Sequence, residues 1–465
     1  MPKVSKDNCA GLAESGKAVS AKKRTSSVFS GWFWTVLIAL MIAWGGTNIA
    51  YPLMRTLSGA FGAIVFAAAL TSRTSRWTRP NPSDFILAGI VVLFVIQLIP
   101  LPPQLWTLLG GRDAIAAIDR EVFGHLLWRP LSIHTEATWQ TFAFLIPFLG
   151  TYLAYRSGDE ARRSAMMRGV AIGFVWAVAL GLLQVAGLDF LHPYPIEADN
   201  QFGNGFFTNH NHQATLVLMA AVLLAWHGPT AGKGSINGKL AGLAVAAAMA
   251  TVASGSRAGF VLMAGTGLAI GLFWLVTRPR SAGTQKPSLR PFAWALGAAA
   301  VLSAIISAMV IGAERYTLGR GGLMEDQRFE LAPIAWRAIW QFWPTGSGFG
   351  TFQTPYRQVE PIEALRFLDV THAHNDLLEA LIEGGLPALV LIVALSLRIL
   401  MLTGRALRSR QADSLATAAT GLALAIPLVH SLVDYPLRTM AISVLFAVAI
   451  ASLEARAGFT RITNA

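Results

Sequence analysis

Nine histidines occur in the 465 residues of this chain, and two of them stand in a polar run that could do acid–base chemistry. The run reads Thr371-His372-Ala373-His374-Asn375-Asp376-Leu377-Leu378-Glu379, and it continues to Glu383-Gly384-Gly385-Leu386-Pro387. A neutral imidazole can remove a proton from an attacking hydroxyl. At helical spacing Asn375, Glu379 and Glu383 fall on one face. Asn375 or Thr371 can cap that helix, and acidic residues in its first turn suit the helix dipole. Gly384, Gly385 and Pro387 then permit a kink before an apolar stretch. His-x-His with nearby carboxylates also invites a zinc reading. Histidines two apart suit a strand or loop, however, and no Cys or His-Glu-x-x-His partner is present, so no metal is expected.

Further polar groups recur at corresponding places. Asn209-His210-Asn211-His212 opens one apolar stretch, and His430 stands four residues before Asp434, with Arg438 just beyond. Four residues is one helix face, so Asp434 reads as an orienter of His430 or as an ordinary helix-end pair. His210 and His212 read equally as cavity-lining or as hydrogen-bonded structural side chains. Arg257 follows Ser254-Gly255-Ser256, and Arg328 lies in a long connector. Gly346-Ser347-Gly348-Phe349-Gly350 could cradle a phosphate through backbone amides. No Lys follows it and no strand–loop–helix frame surrounds it, so a plain turn is favoured.

The elements that position these groups follow from composition. The chain is 54% hydrophobic and only 13% charged, against about 25% charged in soluble domains. Aperiodic glycine, abundant aliphatics and a single cysteine, Cys9, exclude collagen-like, disordered and disulfide-stapled classes. The expected class is an all-α polytopic membrane protein. A bilayer core needs about 20 apolar residues per helix, and twelve candidates stand at 31–52, 56–71, 84–100, 137–155, 166–187, 211–227, 239–254, 258–277, 291–312, 377–402, 413–432 and 437–454. With the basic N-terminal tail inside, that side collects 25 of the 37 Lys and Arg but only seven of the 25 acidic residues. This is the positive-inside asymmetry, so the net charge of +12 reports topology and not nucleic-acid binding. The expected organisation is a disordered cytoplasmic tail (1–30), spans one to nine (31–312), a large periplasmic loop with short helices (313–376), spans ten to twelve (377–455) and a cytoplasmic tail (456–465). Within the loop, Trp336, Ile339, Trp340, Phe342 and Trp343 suggest a short amphipathic helix at the membrane interface.

All the polar clusters fall on the outer side, away from cytoplasmic nucleotides. Energy for a reaction there must arrive stored in a membrane-borne substrate, and a lipid diphosphate sugar satisfies that. Arginine suits its headgroup, because a guanidinium fork makes bidentate contacts to phosphate oxygens. A lipid-linked glycan flippase or transporter is the reading from another class. It predicts charged residues near span midplanes and pseudo-repeats, and neither is visible in the sequence.

The His374-Asn375 pair followed by Gly385-Leu386-Pro387 resembles the signature of the O-antigen ligase and polymerase superfamily. Asn209-His210-Asn211-His212, Ser254-Gly255-Ser256-Arg257, Gly346-Ser347-Gly348, His430 to Asp434, Gln97 to Pro103 and Pro130-Leu131-Ser132 are similar in order and placement. One departure is Ala388, where the signature has glycine. The resemblance implies a GT-C-like glycosyltransferase of the bacterial inner membrane, working without metal or cofactor at the periplasmic face. Its partners would be an undecaprenyl-diphosphate-linked glycan, a hydroxyl acceptor and membrane lipid. His374 would be the base, Arg257 and Arg328 would hold the diphosphate, and the anomeric centre would invert. His372, Asn375, Glu383, His210, His212, His430, Asp434 and Arg438 would support the site or bind acceptor. A ligase (acceptor lipid A core) leads; a polymerase of lipid-linked repeats and a protein O-oligosaccharyltransferase share the same chemistry.

Overall fold

The computed structural model describes residues 31–46, 52–72, 75–194, 202–227, 233–276, 327–365, 369–408 and 414–462. The expected span at 291–312 and the tail at 1–30 lie outside them, as does the loop as far as residue 326. The other eleven apolar segments fall on long helices: α1 (Gly31–Trp44), then α2 (Pro52–Thr71), α3 (Pro82–Leu98), α6 (Thr135–Ser157), α7 (Glu160–Val185), α8 (His210–Ala225), α9 (Lys233–Ala253), α10 (Arg257–Val276), α13 (Asp376–Arg408), α14 (Ser414–His430) and α15 (Met440–Ile462). Short elements fill the connectors. These are β1 (Pro100–Leu101), α4 (Pro103–Trp106), α5 (Asp113–Phe123), β2 (Arg129–Pro130), α11 (Gln327–Gln341) and α12 (Gln353–Val359). β1 and β2 pair antiparallel, with Pro100 opposite Pro130.

Among the described residues, Glu160–Val185, Asp376–Arg408 and Met440–Ala457 are long and apolar enough to cross a membrane, and six shorter helices are apolar. The first expected span is too long by several residues, for a steric reason. A Cβ on Gly45 would stand 2.5 Å from the Ala441 nitrogen, and one on Gly46 would stand 2.0 Å from the Phe206 carbonyl oxygen. Both glycines therefore serve close chain crossings, and α1 stops at Trp44.

Burial separates central from peripheral helices. Every residue of α8 from Asn211 to Ala225 is buried, as expected of a helix that is apolar all round. Ala441 to Ala451 of α15 are nearly as enclosed. By contrast α3 leaves Val92, Val95 and Ile96 about half exposed, which suits a helix facing lipid. The connectors segregate to two ends. Contacts Gly46–Thr208, Gly45–Ala441, Ala253–Gly203, Gln97–Ser132, Ser347–Ile133 and Asp434–Asp376 tie one set together by backbone hydrogen bonds. Arg76–Ser157, Arg398–Glu454 and Arg456–His227 tie the other. The first is here the histidine end and the second the basic end.

Candidate active site

Four segments converge at the histidine end: the start of α8, the start of α13, the end of α14, and the turn Ser431–Thr439 leading into α15. Local chemistry sets each segment. Asn209 caps α8 through its side chain, accepting from the Asn211 N–H at 2.9 Å. Asn375 caps α13, its Oδ1 accepting from Leu377 and Leu378 N–H at 3.0 Å, while its Nδ2 donates to the Leu432 carbonyl at 2.7 Å. The Asp376 N–H reaches the carbonyls of Ser431 and Asp434. Capping and docking thus share the same few residues.

Asp434 is the hub. Its carboxylate is completely buried and lies 3.5 Å from His212 Nε2, 3.6 Å from His374 Nδ1 and 3.8 Å from His430 Nε2. Asn211 Nδ2 donates to it at 2.9 Å, and Asn209 Nδ2 stands 3.4 Å away. Burial alone would raise its pKa, but the imidazoles of His212, His374 and His430 facing it outweigh that and hold it well below the usual carboxylate range. Thr215 Oγ1 lies 2.5 Å from His430 Nδ1. Tyr435 fills the space between imidazoles. Its ring stacks on His372 at 4.1 Å and meets His212 and His374 edge-on at 5.0 and 5.2 Å.

His374 differs from its neighbours. Its side chain is one-third exposed, while His212, His430 and Asp434 are sealed. Its backbone has φ +48°, and it is the one non-glycine residue with positive φ among the described residues. A non-glycine side chain in this region carries strain that surrounding contacts must sustain. Here Asn375, Asp376 and Tyr435 supply them.

Beside the hub, Arg438 gathers three carboxylates of α13. It reaches Glu379 at 3.0 Å, Glu383 at 2.9 Å and Asp376 at 3.5 Å. Burial disfavours its charge, but these carboxylates outweigh that and raise its pKa. Glu379 also accepts from His372 Nδ1 at 3.0 Å and from the Ala373 N–H at 3.1 Å. One carboxylate thereby fixes the two residues that precede the bend at His374.

The expected kink is present: Gly385 has φ +56° and ψ −147° inside α13. A Cβ there would come 2.1 Å from the Pro344 carbonyl oxygen. The glycine-rich loop is a turn, as favoured, whose amides do not form a phosphate cradle. Its Ser347 and Gly348 N–H groups donate to the Ile382 and Glu383 carbonyls at 2.9 Å, and the Phe349 N–H donates to Gln97 Oε1 at 2.9 Å. Its amides are spent bracing the opened turn of α13.

The remaining expected residues are placed as follows. His210 is outside the Asp434 cluster; its Nδ1 lies 2.7 Å from the Ser254 carbonyl and its ring stacks on Phe202. Arg257 is exposed and starts α10. The preceding Ser256 donates to Asn211 Oδ1 at 2.7 Å, so Arg257 is joined to the Asp434 hub through two side-chain hydrogen bonds. Arg328 stands in the first turn of α11, its side chain outside the described residues. Asn209, Asn211, Thr215 and above all Tyr435 complete the site although the sequence did not single them out as members, together with Glu379, which the sequence had placed only on a shared helix face. Asn209 and Asn211 share a quoted run with the histidines, whereas nothing in the pattern distinguishes Tyr435. Among the described residues no group of His, Cys, Asp or Glu is arranged to hold a metal ion.

Fold and site together define an all-α membrane protein with a histidine–aspartate centre at one mouth of its helix bundle. Residues 242–393 match the family described as O-antigen ligase, which supports the resemblance to the O-antigen ligase superfamily over that part of the chain. The matched segment runs from α9 into α13 and holds Arg257, Arg328, His372, His374 and Glu383, while Asp434 and Arg438 lie beyond it. A comparison with curated proteins gives no match.

Proposed function

We propose that this protein is a glycosyltransferase that moves a glycan from undecaprenyl diphosphate to a hydroxyl acceptor at the periplasmic face of the bacterial inner membrane, with lipid A core as the acceptor. The observation that carries this reading is a half-open imidazole, His374, whose Nδ1 faces a fully buried carboxylate. With Nδ1 carrying its proton toward Asp434, Nε2 keeps a lone pair for the acceptor. The contact of 3.6 Å is one that tightens when substrate fills the site. The acceptor oxygen attacks the anomeric carbon, its proton passes to His374, and the bond from that carbon to the diphosphate oxygen breaks with inversion. The diphosphate leaves with the electron pair, and Arg257, with Arg328, holds its charge by bidentate contacts. Neither metal nor cofactor is needed in this scheme. Asp434 positions the base, while Glu379 with His372, and Asn375 with its cap, fix the loop that carries it.

The test is His374→Ala in a host lacking its own copy of the gene. Glycan transfer should fall about 100-fold or more, with the lipid-linked donor accumulating on the outer leaflet. Accumulation on the inner leaflet would instead indicate a flippase. In a deletion strain, naked core with long lipid-linked chains supports the ligase, and single repeats still joined to core would replace it with the polymerase.

A further inference from the structure

Helix α5 has three stripes where a soluble surface helix has two. At 3.6 residues per turn, Arg112, Ala116 and Asp119 share a face, and all three are buried. The Asp119 carboxylate is held by Arg129 and by the Leu127 N–H at 3.1 Å. Asp113, Ala117, Arg120 and Glu121 make a second face that is exposed and charged. Between these faces run Ile115, Ile118 and Val122, with Ile118 54% and Val122 66% exposed. A helix resting on a soluble core would turn Ile118 and Val122 inward and Asp119 outward. This one does the reverse.

The apolar stripe is not isolated. Leu105 in α4 and Leu108 in the turn before α5 are 52% and 80% exposed, and Ile99, which caps the end of α3, is 48% exposed. The stripe therefore continues the lipid-facing side of α3 at the level where that helix ends. The whole segment is fixed in place: Arg112 donates to the carbonyls of Gly110 at 2.7 Å, Leu131 at 2.6 Å and Gly346 at 3.1 Å. The last contact joins it to the loop that braces α13.

We infer that α4 and α5 form a rigid shelf lying flat on the lipid surface at the histidine end, with Ile118 and Val122 set at the headgroup–acyl boundary and Arg120 and Glu121 in water. An interfacial helix needs this combination of one apolar and one charged stripe. The third stripe docks the shelf to the protein. The occupant of the apolar stripe is the lipid of the membrane that α3 crosses, so a lipid-borne substrate would approach the site along the shelf's edge.

Cys9 is the sole cysteine, which makes the test direct. The full-length chain carrying Cys9→Ser and either Val122→Cys, Ile118→Cys or Glu121→Cys is spin-labelled and placed in phospholipid nanodiscs. Collision rates with oxygen, which partitions into lipid, and with an aqueous nickel chelate are then measured. Labels at 118 and 122 should favour oxygen several-fold over nickel, and the label at the adjacent position 121 should show the opposite. Equal, nickel-dominated exposure at all three positions would overturn the shelf. Labels at 118 and 122 shielded from both reagents, with spin–spin broadening, would overturn it in favour of contact with a second copy of the chain. None of these readouts depends on the catalytic reading.

Discussion

The two ends of the bundle handle charge in opposite ways. At the basic end each carboxylate has its own guanidinium: half-buried Asp84 pairs with Arg156 at 2.7 Å, and buried Glu454 with Arg398 at 2.8 Å. At the histidine end charges are pooled. One carboxylate, Asp434, serves His212, His374 and His430, and one guanidinium, Arg438, serves three carboxylates. A closed pair has one favourable protonation state and little reason to change it. A pooled set can admit or lose a proton with small rearrangement, which suits the proton transfer proposed for His374.

This contrast breaks most visibly at Arg438. Arg438→Ala leaves Glu379 and Glu383 buried and without their guanidinium. Removing one partner from a buried ionic set costs about 3–5 kcal/mol, so the variant should unfold at a much lower temperature in detergent. Arg156→Ala at the basic end exposes a carboxylate that already touches solvent, Asp84 being 21% exposed. Its cost should be smaller, about 1.5–3 kcal/mol for a hydrogen bond to a charged group. Equal losses in thermal unfolding would mean that pooling has no energetic meaning.

Asp434→Asn sharpens the comparison through pH. The folded pKa of Asp434 lies well below that of an exposed carboxylate. Its charge therefore adds stability that is fully present above about pH 4, the unfolded value, and is lost as pH falls through the folded value. The stability gap between the native chain and Asp434→Asn should hold steady from pH 7 to about pH 4 and close below that. Transfer should drop about 100-fold at neutral pH, comparable to losing the base itself. A gap that closed between pH 7 and pH 5 would show that the carboxylate is not held low by its histidines.

How much of this was legible in sequence depends on range. Eleven apolar runs announced helices because burial in lipid or in the bundle demands about 20 apolar residues each. Asn375 as a cap, the kink at Gly385, and Glu379 and Glu383 on one face were also readable, since each is a local rule of backbone or helix period. Asp434 was read as a partner for His430, four residues away. Its role as hub was hidden, because His212, on α8, and His374, in the loop before α13, are distant from it in sequence. Arg438 was named, but its three carboxylates all lie more than 50 residues upstream. The partners of the glycine loop were hidden for the same reason: whether an amide is open or spent depends on a carbonyl that only the fold brings near.

The smallest effects separate stability from chemistry most cleanly. Ser83 Oγ donates to Glu454 Oε1 at 2.6 Å, and Glu454 keeps two bonds from Arg398 when that hydroxyl is removed. Thr215 Oγ1 lies 2.5 Å from His430 Nδ1 and is likewise buried. Each of Ser83→Ala and Thr215→Val should therefore cost about 1 kcal/mol, the net value of one hydrogen bond. Their consequences for transfer should differ. Ser83 belongs to a closed pair, so its loss should leave the rate of glycan transfer unchanged. Thr215 fixes the ring of His430 and with it one of the imidazoles sharing Asp434, so its loss should slow transfer several-fold at equal stability. Paired measurements of unfolding temperature and transfer rate decide the matter, and a Ser83→Ala variant slowed as much as Thr215→Val would erase the distinction between the two ends.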